Sequence, residues 1–227
     1  MPGGDMGGYN ADRNDFGQAS FTVNSYVKKW DKANCSNVVI RSSSFLHNKI
    51  NNLPPCSGKN LIWGPPNEDV VKLNFDGSKL DNGQASYGFI LRNALGEILT
   101  ASAKSLGDHP SILIVEAMGL VKGIKGAISL HIKKIIIIEG DNITVINSIK
   151  ANANPLWSIA NIIVDAHTLL EQFDQVYFHH CYRKANRAVD FMAHNGHFYS
   201  DVLFWSPPYC IDFFLLIRKD VLGWLSG

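Results

Sequence analysis

The sequence has little that would send it to a membrane or a secretory route. Its longest apolar runs, Ile135 to Ile138 and Phe213 to Ile217, fall far short of the ~20 residues that span a bilayer. The first ten residues are Gly-rich without an apolar stretch, so they do not read as a signal peptide. Cysteine is sparse as well. Cys35, Cys56, Cys181 and Cys210 are scattered without a CxxC pair, which argues against a disulfide framework or a zinc ribbon. Neither charge is in excess: 21 Lys and Arg against 20 Asp and Glu leave +1 over 227 residues. No bulk field therefore gathers nucleic acid or an acidic membrane surface. These absences lead us to expect an intracellular α/β protein, reduced and not secreted, with nucleus and cytoplasm both open and no membrane partner.

Composition changes near residue 60. Residues 1–62, rich in Gly, Asn and Ser, are expected to form a poorly ordered segment and linker, with room for one short helix between Phe21 and Trp30. Trp63-Gly64-Pro65-Pro66 punctuates the chain, because paired prolines cannot continue a helix. A domain is expected over 63–208 and a hydrophobic tail over 209–227.

Within that domain the periodicity is legible. Val70 to Phe75 alternates as a strand and ends on Asp76-Gly77-Ser78; Tyr87 to Arg92 and Glu97 to Lys104 read as a hairpin turning at Asn93-Ala94-Leu95-Gly96. After Pro110, apolar residues at Ile114, Ala117, Met118, Val121, Ile124 and Ile128 take helical spacing, with Ser111 placed to cap. The β-branched run Ile135 to Ile138 marks a strand buried on both faces. A short helix to about Lys150, a second over Trp157 to Phe173, a fifth strand over Gln175 to Cys181 and a last helix over Asn186 to Phe198 complete the order β-β-β-α-β-α-α-β-α. Hairpin strands followed by β-α alternation predict a mixed five-stranded sheet flanked by helices.

Four acids stand where such a fold can bring them together. Asp76 and Asp141 follow strands expected to be central, and emerge at one carboxyl edge if those strands are parallel neighbours. Glu116 and Asp190 lie in the first turns of two helices that pack on the sheet. Converging carboxylates repel one another and are held protonated unless cations neutralise them. An oxygen-only donor set suits Mg²⁺ or Mn²⁺ rather than zinc. Two such ions roughly 3.5–4 Å apart can stabilise the attacking and leaving oxygens of a phosphoryl displacement. Chemistry alone thus points to metal-assisted phosphodiester hydrolysis.

Asn74-Phe75-Asp76-Gly77-Ser78, Val115-Glu116-Ala117, Glu139-Gly140-Asp141-Asn142 and Asn186-Arg187-Ala188-Val189-Asp190-Phe191-Met192-Ala193 resemble, in order, the four signatures of the ribonuclease H fold. More narrowly, they are similar to the ribonuclease H-like domains of plant genomes, many related to the reverse-transcriptase polyproteins of retroelements. The resemblance covers about Trp63 to Pro208. It implies an endonuclease that cuts the RNA strand of RNA–DNA hybrids with two Mg²⁺ ions, Mn²⁺ substituting, and leaves 3′-hydroxyl and 5′-phosphate ends. On this resemblance Asp76, Glu116, Asp141 and Asp190 match the catalytic metal ligands, with Asp76 bridging. Gly77 and Ser78 would approach the RNA strand, whose 2′-hydroxyl separates RNA from DNA, and Asn142 would contact a phosphate or support the site. The run Tyr182-Arg183-Lys184-Ala185-Asn186 is shorter than the equivalent loop of bacterial members and lacks its His. Of His179 and His180, alternation lets at most one face the site.

From residue 67 onward, 14 Lys and Arg meet 16 Asp and Glu, a balance of −2. Nucleic-acid affinity is mostly phosphate neutralisation, so binding is expected to be weak and salt-sensitive. Arg183, Lys184 and Arg187, together with Lys133-Lys134, are the expected phosphate contacts. His194 and His197 with Cys181 lack a fourth partner for zinc and are expected on the exposed side of the last helix. Trp157, Ile159, Ile163 and Leu170 are expected in the core. The reading is a hybrid-cleaving ribonuclease acting as a monomer. The alternative is a nucleic-acid-binding or interaction module, derived from a retroelement ribonuclease H, that has lost turnover.

Overall fold

The alternation from Val70 onward becomes a long strand with two different buried faces. In a computed structural model describing residues 62–108, 110–150, 154–205, 207 and 209–223, β1 (Val70–Lys79) pairs antiparallel with β2 (Gln84–Arg92), and β2 with β3 (Ile98–Asp108). The Asn93 side chain closes the second hairpin, accepting from the backbone N–H groups of Leu95 and Glu97. Of the poorly ordered segment expected over residues 1–62, residues 1–61, with the short helix between Phe21 and Trp30, lie outside the described residues.

Helix α1 (Ile112–Ser129) starts where expected, with Ser111 Oγ accepting from the Ile114 backbone N–H. It leads into β4 (Ile135–Gly140), which lies parallel to β1. Helices α2 (Ile143–Ile149) and α3 (Ala160–Leu170) then lead to β5 (Gln175–His180), parallel to β4. A 3₁₀ turn at Arg183–Ala185 precedes α4 (Arg187–Asn195), and a second follows at Gly196–Phe198.

Two features depart from the expected order. Among the described residues the sheet has six strands, β5-β4-β1-β2-β3-β6, because β6 (Leu203–Trp205) adds antiparallel to β3. Three residues are too few to show a period, so nothing local announces this strand. The tail forms α5 (Ile211–Leu222), whose Phe213 is fully buried with Ile90, Val189 and Met192. Trp157 is a correction: it is 85% exposed, while Ile159, Ile163 and Leu170 are buried as expected. It precedes α3, so the helical face that buries its neighbours does not carry it inward.

The two faces of β1 are unlike. Leu73, Phe75 and Gly77 meet α1 or its neighbours, and Gly123 of α1 sits directly on Leu73. Lys72, Asn74, Asp76 and Ser78 form the opposite face, all buried. Beside them, Arg92 stacks 3.7 Å from the Trp63 ring and pairs with Asp220 of α5 at 2.7 Å. Asn74 accepts from Trp63 Nε1 and Arg92, and donates to Glu139 and Asn186. Lys72 pairs with Glu139 at 2.8 Å and donates to the Gly64 carbonyl. Buried charges are tolerated only when paired in this way. Among the described residues, no helix is long and apolar enough to cross a membrane.

Candidate metal and nucleic-acid site

Because β1 and β4 run parallel and side by side, Asp76 near the end of one and Asp141 after the other reach the same edge of the sheet. Glu116 joins them from the second turn of α1. One carboxylate oxygen from each of Asp76, Glu116 and Asp141 lies within 4.8 Å of the other two. The close approach depends on Gly77, where a Cβ would fall 2.9 Å from the Glu116 backbone nitrogen. Gly77 also donates its N–H to Asp76 Oδ1 at 2.8 Å.

The cluster is electrostatically unfavourable by itself. Burial, then the charges of Asp141 and Asp190, push the Asp76 carboxyl well above its ordinary range. Burial, then Asp76 and Asp141, push Glu116 up to about 10, against a hydrogen bond from Asn142. Burial also raises Asp141, which Arg183 partly offsets. Glu116 Oε2 is buried without a hydrogen-bond partner among the described residues, an acceptor with nothing to accept. An all-oxygen donor set with an orphaned carboxylate oxygen fits a hard divalent cation.

Asp190 stands differently. Its carboxylate is held by Arg183 at 3.0 Å, with His194 Nδ1 at 3.7 Å, and it lies outside the three-acid cluster. Arg183 and His194 border the same open cavity as Asp76, Glu116, Asp141 and Ser78, a space of about 570 Å³. Asn142 supports the site: its side chain works against the rise of the Glu116 pKa, and its Oδ1 caps α2 by accepting from Thr144 and Val145. Lys184 and Arg187 are exposed, and the charge of Arg187 is felt by Asp220. Lys133 and Lys134 precede β4, whereas Asp141 follows it, so about 20 Å of strand separates them from the acids. They sit at the far edge of the sheet and do not join the site.

The histidines took places that spacing could not assign. His180 Nε2 lies 3.0 Å from the Asp141 carbonyl, while His179 turns to Glu139. His194 is exposed on α4, as expected, and borders the cavity. His197 is a correction, since it sits half-buried in the turn after α4 with its Nε2 2.9 Å from Ser78 Oγ. Sequence reasoning also missed Asn186. Its side chain bonds the Phe75 carbonyl and Asn74, and its own carbonyl accepts from the Asp190 N–H, so it joins α4 to β1 beside Asp76. The polar alternation Lys72, Asn74, Asp76, Ser78 was the available signal.

A mixed sheet in this order, with acids at the carboxyl edge of its parallel pair, defines the ribonuclease H class of fold. The family model described as reverse transcriptase-like matches residues 74–196, and the chain belongs to that family. Among solved structures, RNase H1 from the archaeon Halobacterium salinarum is 22% identical with a TM-score of 0.52, covering 56% of this chain and 96% of its own. The N-terminal RNase H domain of a Mycobacterium tuberculosis protein is also 22% identical, with a TM-score of 0.53, covering 56% and 93%. LC11-RNase H1, solved with an RNA/DNA hybrid, is 12% identical with a TM-score of 0.52, covering 55% and 94%. No curated protein matches the chain.

Proposed function

We propose that this protein is an endonuclease that hydrolyses the RNA strand of RNA–DNA hybrids, with Mg²⁺ as its metal and Mn²⁺ able to replace it. The observation that carries this is the convergence of Asp76, Glu116 and Asp141 within 4.8 Å, at a cavity open to a large substrate. One structural neighbour solved with an RNA/DNA hybrid, LC11-RNase H1, supports the substrate class. We assign the protein to the plant, retroelement-related branch of the family on its short run before α4.

Asp76, Glu116 and Asp141 would hold the metal, with Asp190 as fourth ligand once its carboxylate leaves Arg183. Bound there, two divalent ions supply charge neutralisation for the attacking and leaving oxygens of an in-line displacement. The chain's own groups do the rest. Asn142 orients Glu116, Gly77 lets α1 and β1 close on each other, and Arg183, released from Asp190, is available to a phosphate oxygen. The folded site is preorganised around carboxylates that raise one another's pKa, a condition in which electrostatic stabilisation of a bound cation is most effective.

The test is cleavage of a labelled RNA–DNA hybrid at low salt with Mg²⁺ and then Mn²⁺, beside single-stranded RNA and duplex DNA. Hybrid-specific cleavage that disappears in Asp76→Asn is the expected result. One observation favours the second reading, a binding module without turnover: Asp190 is engaged by Arg183 rather than gathered with the other acids. Folded protein that binds hybrid but cleaves nothing with either metal would establish that reading instead.

A further inference from the structure

Ser78 lies two residues beyond Asp76 on the same face of β1, about 6.8 Å further along the strand, and borders the same cavity. A serine hydroxyl rotates freely and can donate or accept. Here it is engaged by a side chain from outside the sheet: His197 Nε2 lies 2.9 Å from Ser78 Oγ.

The histidine is firmly placed. It sits in the 3₁₀ turn Gly196–Phe198, where a Cβ at Gly196 would fall 3.0 Å from Ser86 Cβ and 3.2 Å from the Lys104 backbone nitrogen. The turn is pinned further by the Ser105 N–H, which donates to the Tyr199 carbonyl at 2.9 Å. The other ring nitrogen, Nδ1, is buried with no hydrogen-bond partner among the described residues. A buried N–H without an acceptor is costlier than a lone pair without a donor. The ring proton of neutral His197 therefore belongs on Nε2, and a protonated ring would carry one there too. In either state His197 donates to Ser78, which leaves the serine's own O–H to be given elsewhere.

We propose that His197 is a positioning residue that fixes Ser78 as a hydrogen-bond donor to a ribose 2′-oxygen of the RNA strand, making the pair a determinant of hybrid over duplex DNA. The inference rests on the hybrid-directed reading of the site and adds the groups that distinguish the sugar. A donor fixed next to the acid cluster reaches the sugar neighbouring the phosphate held there. DNA offers it no oxygen, and a hydrogen bond made to one substrate and missing in the other is worth about three- to tenfold in affinity.

The experiment measures binding rather than turnover. Fluorescence anisotropy at low salt with Ca²⁺ compares a labelled RNA–DNA hybrid, a DNA duplex of the same sequence, and a hybrid whose RNA strand carries 2′-fluoro groups in place of 2′-hydroxyls. The full chain is used as wild type, Ser78→Ala, His197→Phe and His197→Gln, each checked for its melting temperature. We expect the preference of wild type for hybrid to fall about three- to tenfold in Ser78→Ala and His197→Phe. His197→Gln, whose amide can donate from a position near Nε2, should keep it. Equal preference in all four folded proteins, or no preference in wild type, overturns the proposal. Loss of preference in His197→Gln as well assigns His197 a packing role and overturns it as a positioning residue. A phosphate contact would weaken all three ligands alike in Ser78→Ala, which also overturns it. Failure of the nuclease reading shows separately, as absence of cleavage while the hybrid preference and its dependence on Ser78 persist.

Discussion

At the scale of single residues, the three clustered carboxylates set the behaviour of the site. Asp76→Asn removes one charge from the centre of the cluster at nearly constant volume. Cleavage should be lost, while the metal-free protein melts at a higher temperature than wild type, since neighbouring acids no longer repel a buried anion. Glu116 is raised to about 10 by burial and by Asp76 and Asp141, so the folded state binds more protons than the unfolded chain above the ordinary carboxylate range. Stability of the metal-free protein from this group is therefore full at acid pH and declines as pH rises toward that raised value. Thermal melts in EDTA across roughly pH 5 to 9 should show this fall. Added Mg²⁺ should offset it, with a larger gain at the alkaline end because deprotonated ligands bind better.

At the scale of elements, each helix near the site serves through its first turns. Asn142 does two jobs with one amide, capping α2 through its oxygen and working against the rise of the Glu116 pKa. Asn142→Ala should cost about 1 kcal/mol in stability, the usual loss for a cap, measurable by urea unfolding. It should also weaken Mg²⁺ binding by calorimetry, which a cap alone would not do. Asn186 performs the corresponding service for α4, joining its start to the Phe75 carbonyl, so the position of Asp190 follows from a bond to the strand that carries Asp76.

At the scale of the whole molecule, one face of β1 forms a continuous polar strip from Lys72 to Ser78, and its far end is covered by residues from both flanks of the family match. Trp63 lies over Arg92, and Asp220 of α5 pairs with it. Arg92 is fully buried and its Nε has no partner among the described residues, so the guanidinium's charge depends on Asp220. Asp220→Ala should cost about 3–5 kcal/mol, the penalty of leaving a buried charge uncompensated, seen as a large drop in unfolding midpoint. Through Phe213 and Asp220, α5 thus packs against α4 and the sheet.

The local sequence determined the order of the first five strands, the helix after Ser111, and the four acidic motifs in register with their elements. Each of these is a matter of side-chain period or capping within a few residues, which chain-local physics fixes. Tertiary structure alone decided the rest. Only the parallel pairing of β1 with β4 could bring Asp76 and Asp141 to one edge, and only the packing of α4 could give Asp190 to Arg183 rather than to the cluster. Ser78 met His197 across 119 residues of chain, and β6 formed because β3 offered it an unpaired edge. Trp157 was left outside, where its type suggested burial, while Ile159 of the same turn points inward. Period identifies which residues share a face, but the partner of that face is set by contacts between distant segments, and those contacts leave no local signature.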